Sequence, residues 1–499
     1  MGVHAAPAGL AFEAGTFGDM PQSSTVRELN VADTSTDQKF DIVILGGGSG
    51  GYAAALRATQ LGKSVALVEK DKLGGTCLHR GCVPTKALLH VGEIADTPAE
   101  AKAVGIEMTA SAVNTEKMLD FKNKVIGRLY KGLQGLVGAS GATLVNGFGR
   151  LTGPNTIEVE AEDGSKQTLT GDNIILASGS FSKTLPGLEL GGRIIDSEVA
   201  LQLPEVPKNP IILGGGVIGV EFASVWKSLG AESVTIIEGL PHLVANEDEA
   251  ISKNLERAFK KRKIAYSLGV FFEKAEQTET GVKVTLANGK TYEGDYLLVA
   301  VGRGPQTKGL GYEEQGIEMD RGFVLANKET LETNVPGIYA VGDIVPGLQL
   351  AHRGFQQGIF VAEQIAGLNP QPIDESGIPR VTYCEPNIGS VGLTEKQAKE
   401  KFGEDNVATY DYNLGGNGKS QILGTQGFIK LVREKDGPIV GVHMIGARLS
   451  EQIGEAQLIV NWEAEPEDVA SLIHAHPTQN EAMGEAALAL AGKPLHAHA

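Results

Sequence analysis

One pattern occurs twice in this chain, and each copy dictates a parallel strand, a tight glycine turn and a helix, in that order. In the first copy Phe40-Asp41-Ile42-Val43-Ile44-Leu45 is a short apolar run of the kind that fills a buried parallel strand. It leads straight into Gly46-Gly47-Gly48-Ser49-Gly50-Gly51, with Gly46, Gly48 and Gly51 in the G-x-G-x-x-G positions, and then into a helical stretch over 53–61. A second strand, Ser64-Val65-Ala66-Leu67-Val68, ends on Glu69. Glycines in that turn let backbone approach a pyrophosphate, the helix N-terminus faces it, and an acid at the next strand end accepts from a ribose hydroxyl. A glycine turn alone is a weak signal; strand, helix and acid together predict a dinucleotide site.

The second copy is as complete. Pro210-Ile211-Ile212-Leu213 is the strand, Gly214-Gly215-Gly216-Val217-Ile218-Gly219 the turn, 220–229 the helix, and Ser233-Val234-Thr235-Ile236-Ile237 runs to Glu238. Gly214, Gly216, Gly219 and Glu238 are its candidate contacts. No Arg or Lys lies between Gly239 and Ile251 to receive a 2′-phosphate, which favours NAD over NADP here.

Just after the first copy stands Gly74-Gly75-Thr76-Cys77-Leu78-His79-Arg80-Gly81-Cys82-Val83-Pro84-Thr85-Lys86, with two of the chain's three cysteines. The cysteine spacing suits zinc, but a zinc site needs four ligands and no second Cys/His pair lies nearby, so no metal is expected. A helix is predicted to begin in this stretch, with Pro84 tolerated in its first turn. On a regular helix residues five apart have Cα atoms ~8.6 Å apart, beyond the limit of about 7 Å for a disulfide. Closure needs a distorted helix start, which Gly81 permits. A thiolate at a helix N-terminus is stabilised, so the pair reads as redox-active; two inert reduced thiols are the alternative. Sulfur does not readily exchange hydride with nicotinamide, so two nucleotide sites beside a redox pair imply a flavin between them. FAD is expected in the first site and NAD in the second.

Composition narrows the rest. With 44 basic against 61 acidic residues the net charge is −17, and aromatic residues make up 5%; both argue against nucleic acid or an anionic membrane surface. No apolar run of membrane-spanning length occurs. Residues 1–39 read as a disordered tail that fits neither a secretory signal nor a mitochondrial presequence, so a cytoplasmic location is expected.

Over about residues 40–495 the sequence resembles the flavin-dependent disulfide oxidoreductases, and among them the dihydrolipoamide dehydrogenases, the E3 components of 2-oxoacid dehydrogenase complexes. Residues 74–86 resemble the family's disulfide motif, in which Gly75, Thr76 and Lys86 contact the cofactor. Ile175-Leu176-Ala177-Ser178-Gly179-Ser180 resembles the strand leaving the FAD domain, with Ser178 in place of the usual Thr, and Val299-Ala300-Val301-Gly302-Arg303 resembles the one leaving the NAD domain. Ile338-Tyr339-Ala340-Val341-Gly342-Asp343 matches a second FAD motif whose Asp binds ribitol, and Leu350-Ala351-His352 follows it. Gly149 matches a further FAD contact. Lys86 and Glu221 match an ion pair beside the flavin, while Val270 and Gly302 complete the NAD pocket.

Near the C-terminus, His474-Ala475-His476-Pro477-Thr478-Gln479-Asn480-Glu481 contains a possible base, His476, and an orienting carboxylate, Glu481. On residues alone an ordinary hydrogen bond is the better explanation of the pair. The resemblance implies catalysis, with a cis peptide before Pro477 and the histidine reaching the disulfide of the other subunit. Cys384 reads as a small apolar residue, 450–465 as a helix at the interface, and His496 and His498 as a solvated end.

The implied fold class is α/β: two Rossmann-like dinucleotide-binding domains, a central domain and a C-terminal α+β dimerisation domain. The expected division is a tail over 1–39, an FAD domain over 40–190, an NAD domain over 191–312, a central domain over 313–375 and a dimerisation domain over 376–499. The implied activity is oxidation of protein-bound dihydrolipoamide to lipoamide through Cys77, Cys82 and FAD to NAD⁺, with His476 and Glu481 managing protons. Implied partners are a second copy, lipoyl domains and the E2 acyltransferase. Glutathione and mycothione reductases, which usually use NADPH, are disfavoured by Glu238; a non-catalytic flavin-containing assembly subunit is disfavoured by the intact Cys77, Cys82, His476 and Glu481. Two departures from the family pattern stand out: His79-Arg80 inside the disulfide loop, where two cations are expected to favour a Cys77 thiolate, and the Arg353–Gln357 stretch.

Overall fold

The computed structural model describes residues 38–109 and 112–496. The tail expectation for residues 1–37, and His498, lie outside the described residues. Gln38 and Lys39, read as tail, already pair with Leu169 and Thr170 in the first strand.

That strand, Gln38–Leu45, lies between the parallel strands Val65–Glu69 and Lys166–Leu176, with Thr143–Asn146 outermost. Ile42, Val43 and Ile44 are wholly buried because helices and connections cover both sheet faces, which is why the run is uninterruptedly apolar. Ile338–Ala340 returns after a long excursion to pair in parallel with Lys166–Leu176, Ile338 opposite Ile174. The carboxyl ends of these strands therefore share one edge, where Gly46, Ala177 and Val341 are linked in turn to Val68, Leu45 and Leu176 by backbone hydrogen bonds. Ligands of such sheets bind outside that edge.

The second nucleotide half repeats the plan. Ile264–Leu268, Val234–Glu238, Ile211–Leu213, Leu297–Val299 and Ile194–Ile195 form a parallel sheet in that order. Antiparallel strands Phe272–Gln277, Val282–Leu286 and Thr291–Gly294 form its crossover, as Phe148–Gly153 and Thr156–Glu160 do in the first half. The chain segments leaving the two halves meet in a short antiparallel pair, Ser180–Ser182 with Arg303–Pro305. Both fingerprint helices start earlier than predicted, at Ser49 and Val217, because the last glycine-turn residues form the first helical turn.

The C-terminal unit is a five-stranded antiparallel sheet in the order Arg380–Thr382, Asn387–Gly392, Ile439–Gly446, Phe428–Glu434, Val407–Asn413. Helices Ile453–Asn461 and Glu481–Leu490 pack on one face through Ala456, Met483 and Ala487. The other face packs on the second nucleotide half: Cys384, Ile388 and Ile445 join one core with Phe222, Trp226, Leu88 and Leu89. Next to that core a polar row crosses all five strands in register, Arg380, Ser390, His443, Lys430, Asp411. Arg380 pairs with Glu247 at 3.3 Å and Lys430 with Asp248 at 3.0 Å, tying the loop after Glu238 to this sheet.

The helix expected over 450–465 is shorter. A 3₁₀ turn, Leu449–Gln452, precedes Ile453–Asn461, and Glu463 at φ 51° ends it by turning the chain left-handed. His496 is solvated as expected, yet anchored: its Nδ1 lies 2.9 Å from Glu485 Oε1, and its backbone N–H donates to Glu485 Oε2.

Candidate active site

The two glycine turns are near replicas, and each glycine answers a different steric demand. Gly46 and Gly214 both have φ +110°, and a Cβ there would lie 2.3 Å from the carbonyl oxygen of Ala177 and of Ala300. At Gly51 and Gly219 a Cβ would lie 1.8 and 1.9 Å from the carbonyl oxygens of Gly46 and Gly214, so helix and strand meet there only without side chains. Gly48 and Gly216 have nothing within 4 Å: they open onto the cleft, and a Cβ would occupy the space a phosphate needs. The acids match as well. Glu69 accepts from the backbone N–H of Gly47 (2.7 Å) and Asp71 (2.9 Å), and Glu238 from that of Gly215 (2.6 Å) and Leu240 (2.8 Å). Burial raises the Glu69 pKa. Each cradle thus joins a helix N-terminus, an empty glycine face and an oriented acid, which fits a dinucleotide.

Both cradles open into one cleft of about 1050 Å³, which also holds Gly75, Thr76, Cys77, Cys82, Lys86, Gly179, Glu221, Val270, Gly302, Asp343 and Ala351. Gly51 and Gly219 serve close packing instead, and Gly149 sits under the sheet, where a Cβ would lie 2.4 Å from Leu45 Cδ1. A larger groove of about 1940 Å³ between the second half and the C-terminal sheet contains neither glycine turn nor redox cysteine.

The cysteine stretch is fastened onto the first turn. Gly74 N–H donates to Gly47 O at 2.8 Å, and a Cβ on Gly75 would touch Gly48 Cα at 2.9 Å. A short helix, Gly75–His79, stops at Arg80, and a new one, Cys82–Ala103, starts beyond Gly81. This break is the distorted helix start that the spacing demands. All three cysteines are thiols, and those of Cys77 and Cys82 hydrogen-bond each other. That bond, opposed by burial and reinforced by the Lys86 cation, holds Cys82 at about 7. The same bond, with burial, pushes Cys77 well up. Lys86, one turn after Cys82, donates to both Glu221 oxygens at 2.9 Å and lies 4.8 Å from the Tyr383 ring centroid. Burial works against its charge, yet the pairing with Glu221 raises the Lys86 pKa.

His79 and Arg80 are each engaged by other groups. His79 Nε2 lies 2.8 Å from Leu73 O and its ring packs edge-on against Tyr130, while Arg80 is spent on Asp71 and Glu198. The cation that favours thiolate at both Cys77 and Cys82 is Lys86.

A relay absent from the sequence reading joins the two exit segments. Arg303 donates to Ser180 Oγ (2.8 Å) and Ser180 O (2.9 Å), and Ser180 Oγ donates to Asp343 Oδ2 at 2.5 Å. The unusual Arg353–Gln357 stretch also finds its reason. Arg353 is buried, bonded to Glu375 and to Pro346 O, and Gln357 Oε1 accepts from Gly342 N–H at 2.7 Å; together they hold the loop that presents Asp343.

His476 Nδ1 lies 2.8 Å from Glu481 Oε1, whose other oxygen accepts from Thr478 N–H at 2.7 Å. Burial opposes charge on Glu481, but Thr478 N–H and His476 hold its carboxyl below the usual range. The peptide before Pro477 is cis, as is the unforeseen one before Pro386. The dyad does not line its own chain's cleft, and the His476 side chain is 76% exposed. Its loop is braced by Glu455, which bonds both His474 and Asn480. Among the described residues no cluster of three or more His, Cys, Asp or Glu could hold a metal, and no helix is long and apolar enough to cross a membrane.

Residues 40–358 match the family model of the pyridine nucleotide-disulphide oxidoreductases, and residues 378–487 that family's dimerisation domain. The chain is 40% identical over 474 residues to dihydrolipoyl dehydrogenase of Bacillus subtilis (strain 168), covering 92% of this chain and 99% of the relative. It is 39% identical over 465 residues to dihydrolipoyl dehydrogenase 3 of Pseudomonas putida, covering 91% and 99%. The crystal structure of LpdA from Mycobacterium tuberculosis superposes with a TM-score of 0.84 at 25% identity, over 91% of this chain and 100% of that one.

Proposed function

The chain belongs to the pyridine nucleotide-disulphide oxidoreductase family, and from that premise we propose that it is a dihydrolipoyl dehydrogenase, oxidising protein-bound dihydrolipoamide to lipoamide with NAD⁺ as final acceptor. The observation that carries the reading is one cleft in which Cys77 and Cys82 stand between two dinucleotide cradles. We assign 40–190 to the FAD half, 191–312 to the NAD half, 313–375 to the segment completing the FAD site and 376–499 to dimerisation.

When bound, FAD supplies a two-electron carrier between sulfur and NAD⁺. The first cradle, with Gly46, Gly48, Glu69 and Asp343, would hold it, and the second, with Gly214, Gly216 and Glu238, would hold NAD⁺. A substrate thiolate attacks Cys77 of the oxidised pair; a new S–S bond forms and the bond to Cys82 breaks, releasing Cys82 as thiolate. The second substrate thiol, deprotonated, displaces Cys77 and closes lipoamide. Lys86 stabilises the Cys82 thiolate, and Glu221 keeps Lys86 charged in a half-buried place. Glu481 holds His476 through Nδ1, leaving Nε2 to take each thiol proton. Because the dyad stands outside its own cleft, the base serving each cleft is the partner's His476, and the working unit is a homodimer.

In this reading lipoyl domains and the E2 acyltransferase of a 2-oxoacid dehydrogenase complex deliver the substrate. A reducing cytoplasm suits a cysteine pair that must cycle. The test is purified protein with dihydrolipoamide and either NAD⁺ or NADP⁺, following reduced nicotinamide. Turnover with NAD⁺ is expected; flavin-bound protein that turns over with neither would overturn the reading.

A further inference from the structure

The internal duplication exposes a difference between the two cradles. Gly147 N–H donates to Glu69 O at 2.9 Å, and Val270 N–H to Glu238 O at 3.4 Å, so Gly147 and Val270 are structural equivalents. The residue after each is a phenylalanine. Phe148 is 43% exposed, and the Lys70 ammonium lies 5.9 Å from its ring centroid. Phe271 is 68% exposed and has no such cap, because the counterpart of Lys70, the residue after the acid, is Gly239.

Phe271 is held in place without being used by the core. Its neighbours Val270 and Phe272 pack against the core around Leu213 and Ile237, turning the ring between them toward the cleft. Its carbonyl accepts from Ala287 N–H at 3.0 Å, and Gly269 N–H donates to Leu240 O at 2.9 Å, linking the loop of the ring to that of the acid. A Cβ on Gly239 would lie 3.0 Å from two carbons of the ring, so a side chain there would displace it. Leu240, 51% exposed, lines the same wall two residues beyond Glu238. A fixed aromatic face, an aliphatic neighbour and an acid suited to ribose hydroxyls make an arrangement for a flat heteroaromatic base on a ribose.

We propose that Phe271, aided by Leu240, stacks on the adenine of the nicotinamide dinucleotide, and that Gly239 keeps the ring face free for it. The proposal rests on the second cradle being the NAD site and adds the residues that grip the base. An exposed ring outside the core can be changed without unfolding the chain. The test is calorimetric binding of NAD⁺ and of ADP-ribose to the flavin-loaded dimer as wild type, Phe271→Ala and Phe271→Tyr. Alanine is expected to weaken both ligands by about tenfold or more, while tyrosine stays near wild type. Equal or tighter binding by Phe271→Ala overturns the stacking role, tighter binding marking the ring as an obstruction. A wild type that binds neither ligand overturns the NAD-site reading and the stacking role with it.

Discussion

Lys86 and Glu221 join the two nucleotide halves at the redox centre: Lys86 Nζ lies 2.9 Å from both carboxylate oxygens, and Lys86 stands one helical turn beyond Cys82. Glu221 is further fixed by accepting from Tyr383 N–H at 2.9 Å, so three parts of the chain converge on one ammonium.

Removing that ammonium should cost Cys82 its charge at neutral pH. In Lys86→Met the Cys82 titration is expected to move from about 7 toward the ordinary thiol value of ~8.5. Alkylation by iodoacetamide against pH reads the shift. Arg80→Gln should leave the same profile where it was, because Arg80 is paired elsewhere.

The glycines of one turn should fail in different ways. Gly48→Ala places its methyl in open space and should melt near the wild-type temperature while losing flavin absorbance. Gly51→Ala drives a methyl into the Gly46 carbonyl and should lower the melting temperature or prevent folding. Equal behaviour of the two variants would contradict the distinct roles assigned to them.

Lys430, almost fully buried, neutralises the equally buried Asp248 and also reaches the part-exposed Glu395, which Lys399 pairs as well. Lys430→Met leaves the buried Asp248 carboxylate without its cation and is expected to cost about 3–5 kcal/mol in chemical denaturation. Burial opposes charge on Asp248, but His443, the Glu395 N–H and Lys430 together outweigh it and hold its carboxyl below the ordinary value. A carboxylate with a lower pKa folded than unfolded stabilises the fold above the unfolded value of ~3.9 and ceases to do so as pH falls through the folded value. Wild type should therefore lose stability toward acid more steeply than Lys430→Met.

If the partner's His476 serves each cleft, defects in Cys82 and His476 should complement. Co-expressed Cys82→Ser and His476→Gln chains are each inactive as homodimers, but their hybrid contains one intact cysteine pair facing one intact histidine. Turnover by the isolated hybrid is expected. A hybrid as inactive as its parents would place the base in its own chain's cleft.

The local parts of this site were legible from residue order. Each glycine turn, its helix and its acid lie within about two dozen residues, a span over which spacing and chemistry dictate geometry. The break between the cysteines followed from helix dimensions and Gly81. What escaped depends on distant pairings. Ser180, Arg303 and Asp343 meet only because Ser180–Ser182 pairs with Arg303–Pro305. The charges of His79 and Arg80 looked available for a different reason: Leu73 O and Asp71, near in sequence, face them only through the fold of the loop, and Glu198 comes from far along the chain. Phe271 became visible only when the two halves were matched bond for bond.

The strand Ile338–Ala340 enters the first sheet only after the whole second nucleotide half has been threaded between. On the ribosome, therefore, the amino-terminal half must wait with the Ile174–Leu176 edge unpaired until most of the polypeptide has emerged. An uncovered edge of that kind recruits other strands. Chains arrested before residue 338 should accordingly aggregate rather than accumulate as a flavin-ready fragment.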